Sequence, residues 1–227
     1  MTRRTARTKK LRGVDRRWMK AFGWGLVDPT KRPFDEWIDF IFNHPVTDPE
    51  WYVLEEFDPG WAGNPGRFLG YTTKLFQHPA HLLNRYSPKQ IDQGFRCLLS
   101  PYGLARWIWE RKINIAPRVE CVLAMANVFE QIFEKRTHSE SCYMWWDYLR
   151  NAEKNNPDPR IKEAMLAALS RILKMSSGNC QVSALHGLSH LNHPKREQVI
   201  RNFLKSNVNI DAKTREYAKA AMKGKVL

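Results

Sequence analysis

Asp158-Pro-Arg-Ile-Lys-Glu-Ala-Met-Leu-Ala-Ala-Leu-Ser-Arg-Ile172 decides the fold class. Its apolar residues, Ile161, Ala164, Met165, Ala168, Leu169 and Ile172, recur at the three- and four-residue spacing that lines one face of a helix. An Asp before a Pro opens the run: the carboxylate satisfies amides of the first turn, and the proline ring presets φ. The same opening recurs at Asn64-Pro65 and at Ser87-Pro88, where Gln90 completes a capping-box pattern; Ala116-Pro117 supplies the proline alone. An apolar-periodic run follows each. Val122, Met125, Ala126, Phe129, Ile132 and Phe133 make a second stripe, and Val199, Ile200, Phe203 and Leu204 a third. Near the start, Phe34, Trp37, Ile38 and Ile41 share a face opposite Asp35, Glu36 and Asp39, with Pro33 suited to the first helical position. Only Trp51–Leu54 and Ile113–Ile115 have strand character, and both are too short to found a sheet. The pattern predicts an all-α protein.

The chain has 227 residues, 43% of them hydrophobic and 26% charged, the make-up of a soluble globule rather than a disordered tail. Its aromatics are unevenly spread. All nine tryptophans lie at or before Trp146, and beyond Arg150 the only aromatic residues are Phe203 and Tyr217. This divides the chain into a basic arm over 1–20, an aromatic-rich helical part over 21–150 and a part over 151–227 packed around Leu, Ile and Ala. The joint falls at Asn151–Asp158, and 21–227 is expected to form one continuous body. His44–Gly66, rich in Pro and Gly and carrying Trp51, Phe57 and Trp61, reads as a structured loop with one short irregular helix after Asp48-Pro49.

Past the joint, a helix over 159–174 precedes a turn at Ser176–Asn179, a second helix over 181–191, a third over 194–205 and a fourth over 211–221. Ala184 and Ala218 stand 34 positions apart, with Gly187 and Ala221 in matching places, where paired helices need small side chains to approach. This third of the chain resembles HEAT-like helical repeats, and the phrase His186-Gly-Leu-Ser-His-Leu191 is similar to bacterial helical proteins of no assigned activity. The resemblance implies an irregular α-α superhelix of stacked antiparallel helix pairs, offering a surface to a protein partner.

The longest apolar stretch, around Cys121–Phe129, is about nine residues against the ~18 needed to span a bilayer, so no membrane segment is expected. Arg16-Arg17 followed by Ala21–Val27 resembles a twin-arginine signal, but that run is short, aromatic and glycine-broken and lacks a small-residue cleavage site. A cytoplasmic protein is expected. Cys97, Cys121, Cys142 and Cys180 match neither a metal knuckle nor a short disulfide framework and read as buried thiols.

The net charge of +14 comes from the two ends. Residues 1–20 carry Arg3, Arg4, Arg7, Lys9, Lys10, Arg12, Arg16, Arg17 and Lys20 against Asp15 alone. Residues 194–227 carry nine cations, Lys195, Arg196 and Arg201 among them, against Glu197, Asp211 and Glu216. Everything between is balanced. These ends are the candidate contacts for a nucleic acid or an acidic partner, through counterion release on a phosphate backbone in the first case.

Candidate chemistry is sparse. His186 and His190 share a helix face with His193 and Cys180 nearby, yet no third convergent ligand is legible, and no Glu lies within the HxxxH spacing. His78 and His81 flank Pro79, and Glu55, Glu56 and Asp58 read as a solvated edge. In Cys142-Tyr-Met-Trp-Trp-Asp-Tyr-Leu149, Asp147 follows Trp145 and Trp146. That placement resembles the HEAT-like DNA glycosylases that excise alkylated bases, in which an Asp sits among tryptophans on a basic concave face. The resemblance would make Asp147 catalytic and Trp145 or Trp146 a stacking surface. The other reading buries the rings and gives Asp147 an Arg partner or a helix cap. No nucleophile elbow or phosphate loop occurs, and no cofactor is implied. The expectation is therefore a non-enzymatic scaffold that binds a protein partner on its helix stack. A nucleic-acid binder with base-excision activity stands as the alternative.

Overall fold

The structure, a computed structural model, describes residues 29–53, 64–100, 103–135, 139–153 and 157–226. Among these every regular element is helical. The arm cations Arg3 to Lys20 and the acidic trio Glu55, Glu56 and Asp58 lie outside the described residues.

After a short turn at Pro29–Lys31, α1 spans Phe34–Phe42, α2 Pro65–Gln77, α3 Pro79–Leu82, α4 Pro88–Leu99 and α5 Leu104–Trp109. Then come α6 Ile115–Val128, α7 Glu140–Glu153, α8 Pro159–Ile172, α9 Gly178–His190, α10 Arg196–Ser206 and α11 Ala212–Met222. Trp51–Val53 is a single 3₁₀ turn, which is what became of the short irregular helix expected after Pro49. The caps follow their residue chemistry. Asn64, Ser87 and Asp158 each accept a first-turn amide, and Ser87 and Gln90 complete the reciprocal capping box. Two starts shift. Pro33 is the N-cap of α1 rather than its first residue. α6 opens at Ile115 because the Asn114 side chain accepts from the Ala116 amide, placing Pro117 inside the first turn, where a missing N–H costs nothing.

All three predicted stripes face the interior: Ile161 to Ile172 and Val122 to Phe133 are buried, and Ile200 and Phe203 anchor α10. One feature the stripes do not announce is a π turn over Phe129–Phe133 that prolongs α6, closed by the Glu134 amide on the Phe129 carbonyl at 2.7 Å. It lets Phe129 and Phe133 meet edge to face with centroids 5.1 Å apart, and both lean on Trp145. Phe76 and Phe95 close the cage, at 5.5 and 5.4 Å from the same indole. Each such ring pair adds about 0.5–1.5 kcal/mol beyond the area it buries.

The helices sit in two rows. In one, α2 packs on α6 and α6 on α8; in the other, α4 and α5 pack on α7, α7 on α9 and α9 on α11. Cross-contacts from α9 to α8 and α10 tie the rows, and α1 lies on α4. A single buried cluster runs from Trp37 to Val226 without a break near 150. The joint is itself pinned: Arg118 and Asp158, both at most 2% exposed, pair at 3.2 Å. Arg118 also donates to the Ile108 carbonyl at 3.1 Å while Asp158 caps α8. Asp158 also pairs with Arg160 at 3.1 Å, so the costly loss is that of Asp158, about 3–5 kcal/mol, because the buried Arg118 charge is then left uncompensated. Among the described residues no helix is long and apolar enough to cross a membrane.

Candidate functional site

The small residues at the 34-position offset set the geometry. Ala184, Ala218 and Ala221 are fully buried on the packed faces of α9 and α11. At Gly187 a Cβ would come within 2.6 Å of the Trp146 ring and 2.8 Å of Leu169. The backbone of α9 therefore lies directly against α7, and the residues flanking Gly187 and Trp146 meet across the seam.

Those residues are His186 and His190 on α9, and Tyr143, Asp147 and Arg150 on α7; both sets follow the three- and four-residue helical spacing. His186 Nε2 lies 2.9 Å from Asp147 Oδ2, and His190 Nε2 lies 3.6 Å from Asp147 Oδ1. His186 Nδ1 meets the Tyr217 hydroxyl of α11 at 2.9 Å, and Tyr217 meets the Tyr143 hydroxyl at 3.2 Å. His190 Nδ1 accepts from Arg150 Nη1 at 2.9 Å. The Tyr143 and His190 rings each lie 4.6 Å from that of His186, the latter edge to face. The Arg150 guanidinium can only donate, so the His190 ring proton sits on Nε2, toward Asp147. The His186 side chain is 1% exposed, against 13% for His190 and 21% for Asp147, so the cluster opens on one side only. Burial, then the Arg150 charge and His186, lower the pKa of His190 against a weaker opposing pull from Asp147. Tyr217 is raised, first by burial and then by its bond to Tyr143, and so stays a neutral hydroxyl.

Tyr143 and Tyr217 also line a cleft of about 600 Å³ bordered by the N-terminal ends of α7, α9 and α11. Phe133, Val182 and Lys213 share its wall. Ser139, Ser177 and Asp211 already accept first-turn amides at those three helix ends.

Set against the sequence, Asp147 takes histidine partners, where an Arg or a cap was expected. Trp145 and Trp146 are 0% and 1% exposed and offer no face to a base or a partner. They are core residues rather than contacts for a partner or a nucleic acid, because both rings are sealed inside the fold. His193 leaves the pair and meets Glu163 at 2.8 Å, while Cys180 and Cys142 lie buried elsewhere. Burial raises the thiols of Cys97 and Cys121, as expected of inert cysteines. Of the C-terminal cations, Lys195, Arg201 and Lys219 pair with Glu163, Glu197 and Glu216. Arg196 donates to the Ser189 and Met222 carbonyls, and Arg215 to that of Val208. Sequence reasoning passed over Tyr143, Arg150 and Tyr217. The legible signal was Tyr217, an isolated aromatic in an Ala- and Lys-rich helix. The chain matches no protein-family model, no curated protein and no solved structure.

Proposed function

We propose that the protein is a HEAT-like helical-repeat scaffold, non-enzymatic and cytoplasmic, that binds a protein partner at the cleft between the N-terminal ends of α7, α9 and α11. The observation that carries this reading is the cleft itself: about 600 Å³, with the partly exposed Tyr143 at its rim, Tyr217 and Val182 in its wall and Lys213 beside them. Tyrosines held by hydrogen bonds present large amphipathic area at little entropic cost, which is why they recur among the residues that dominate binding energy. The α7–α9–α11 row and the small residues 34 positions apart support the repeat reading. The cluster behind the cleft does structural work here, holding Tyr217 and Tyr143 in place.

The test places a photo-crosslinking amino acid at Tyr143 and, as a control, at Glu36 on α1. A defined protein captured from Tyr143 alone, and lost when Lys213→Glu is added, is the expected result; equal capture from both positions sinks the proposal. A salt titration against labelled duplex DNA tests the nucleic-acid alternative. An affinity falling steeply with the logarithm of salt concentration, with no cleft-specific capture, moves the function to the basic ends and away from the cleft.

A further inference from the structure

His186 and His190 share one face of α9, and Asp147 meets both from α7 across the seam. We propose that Asp147, His186 and His190 form a three-ligand site for a divalent transition metal, with zinc the best-matched ion, bridging α7 and α9.

Their donor atoms all lie within 4.8 Å of one another, and this is the one such His, Cys, Asp and Glu grouping among the described residues. Zinc bonds of about 2.0–2.2 Å to nitrogen and oxygen in a tetrahedron place ligand atoms roughly 3.3–3.5 Å apart. His186 Nε2 lies 2.9 Å from Asp147 Oδ2 and His190 Nε2 3.6 Å from Oδ1, and no two of the three donors are more than 4.8 Å apart, so side-chain movements of about an ångström bring them to that spacing. Two imidazoles and one carboxylate suit zinc, and they leave a fourth position for water. The seam is held from outside the cluster. Gly187 sets the backbone approach, Tyr143 lies against the His186 ring, and Tyr217 holds His186 Nδ1. A histidine that binds metal through Nε2 carries its proton on Nδ1 and needs an acceptor there, which the Tyr217 oxygen provides.

His190 is different. Its Nδ1 faces the Arg150 guanidinium, which donates and cannot accept. Binding through His190 Nε2 therefore moves the ring proton to Nδ1 and releases Arg150, an exposed side chain free to swing toward water. Arg150 opposes the metal twice, by holding the other tautomer and by its charge. It is the gate on this site.

The probes are zinc and cobalt alone, titrated into the full chain after chelator treatment. The expected result is one ion per chain, with the intense visible absorption of tetrahedral cobalt lost on adding zinc. Asp147→Asn and His190→Gln should each weaken binding by more than the ~10–100-fold typical of outer-shell changes. His193→Gln, outside the cluster, should leave affinity and stoichiometry unchanged. Arg150→Gln should tighten binding about tenfold, since its amide oxygen accepts the Nδ1 proton and a cation is gone. Misfolding cannot mimic that gain. Wild-type protein that shows no cobalt spectrum, binding that survives His190→Gln, or Arg150→Gln that binds no tighter would each overturn the proposal. Because the readout is the ion and not a partner, its failure leaves the cleft reading standing, and loss of cleft-specific capture leaves the ion site standing.

Discussion

His44 shows what one side chain's surroundings do to the pH dependence of the whole fold. It is 1% exposed, stacked flat on Trp51 at 3.5 Å, and donates from Nε2 to the Phe40 carbonyl at 2.7 Å. Burial pulls its pKa down to about 3, against a smaller opposing pull from that hydrogen bond. The folded chain thus keeps a neutral imidazole where the unfolded chain, with a pKa near 6.5, takes up a proton. Stability is complete above about pH 6.5 and falls as pH drops through the window between 6.5 and 3, by at most about 1.4 kcal/mol per unit. His44→Phe keeps a ring on Trp51 and removes the titrating group. Urea midpoints measured at about pH 7.5, 5.5 and 4.5 should therefore fall more shallowly with acid in the variant than in the wild type. Parallel slopes would show that His44 is protonated in the folded state. None of this was legible from the sequence, where His44 opens a Pro-rich loop; the stacking partner and the depth of burial are tertiary facts.

At the scale of the element, the helices and their starts were legible because they are local. A Ser, Asn or Asp before a Pro satisfies amides within its own turn, and a stripe of apolar residues needs only its own spacing. What sequence could not supply was the distance between two helices, and Gly187 is where that distance is set. Adding a methyl there gains about 1 kcal/mol of helix propensity, yet the new carbon meets the rings and methyls of Trp146 and Leu169 at 2.6–2.8 Å. Both neighbours are buried and have nowhere to go, and overpacking of that kind costs roughly 1–3 kcal/mol. Gly70 in α2 is the internal control, exposed and with nothing within 4 Å of an added Cβ. We therefore expect Gly70→Ala to stabilise by up to about 1 kcal/mol and Gly187→Ala to destabilise, two opposite signs from one substitution in two helices of one protein. Thermal melts decide it. Two stabilising shifts would mean that α7 and α9 can part without cost, and the Asp147–His186 contact would then lack the rigid seam it needs.

For the molecule as a whole, the question is whether the change of composition near residue 150 marks two cooperative units or one. The aromatic side of the core reaches Trp146, which stands on Gly187, while Phe129 in the π turn stacks on Trp146 at 5.9 Å. Ser183 of α9 donates to the Cys142 carbonyl of α7 at 2.6 Å. The ion pair between Arg118 and Asp158 ties α6 to the start of α8 across the same boundary. Breaking the chain into two folded halves would expose the seam between α7 and α9 and the packed face of α6 on α8, and would part Arg118 from Asp158, a cost of several kcal/mol out of the ~5–15 kcal/mol that stabilises a typical domain. The distribution of tryptophan makes this directly measurable. Every indole lies at or before Trp146, so fluorescence reports the first part and, through Trp146 against Gly187, the α7–α9 seam, whereas far-ultraviolet circular dichroism reports helices throughout. A single unit requires the two probes to give one transition with one midpoint, the usual criterion of all-or-none unfolding. If helicity is lost in a separate step accompanied only by the Trp146 fraction of the fluorescence change, α8 to α11 unfold by themselves, and the seam carries far less of the stability than its contacts imply.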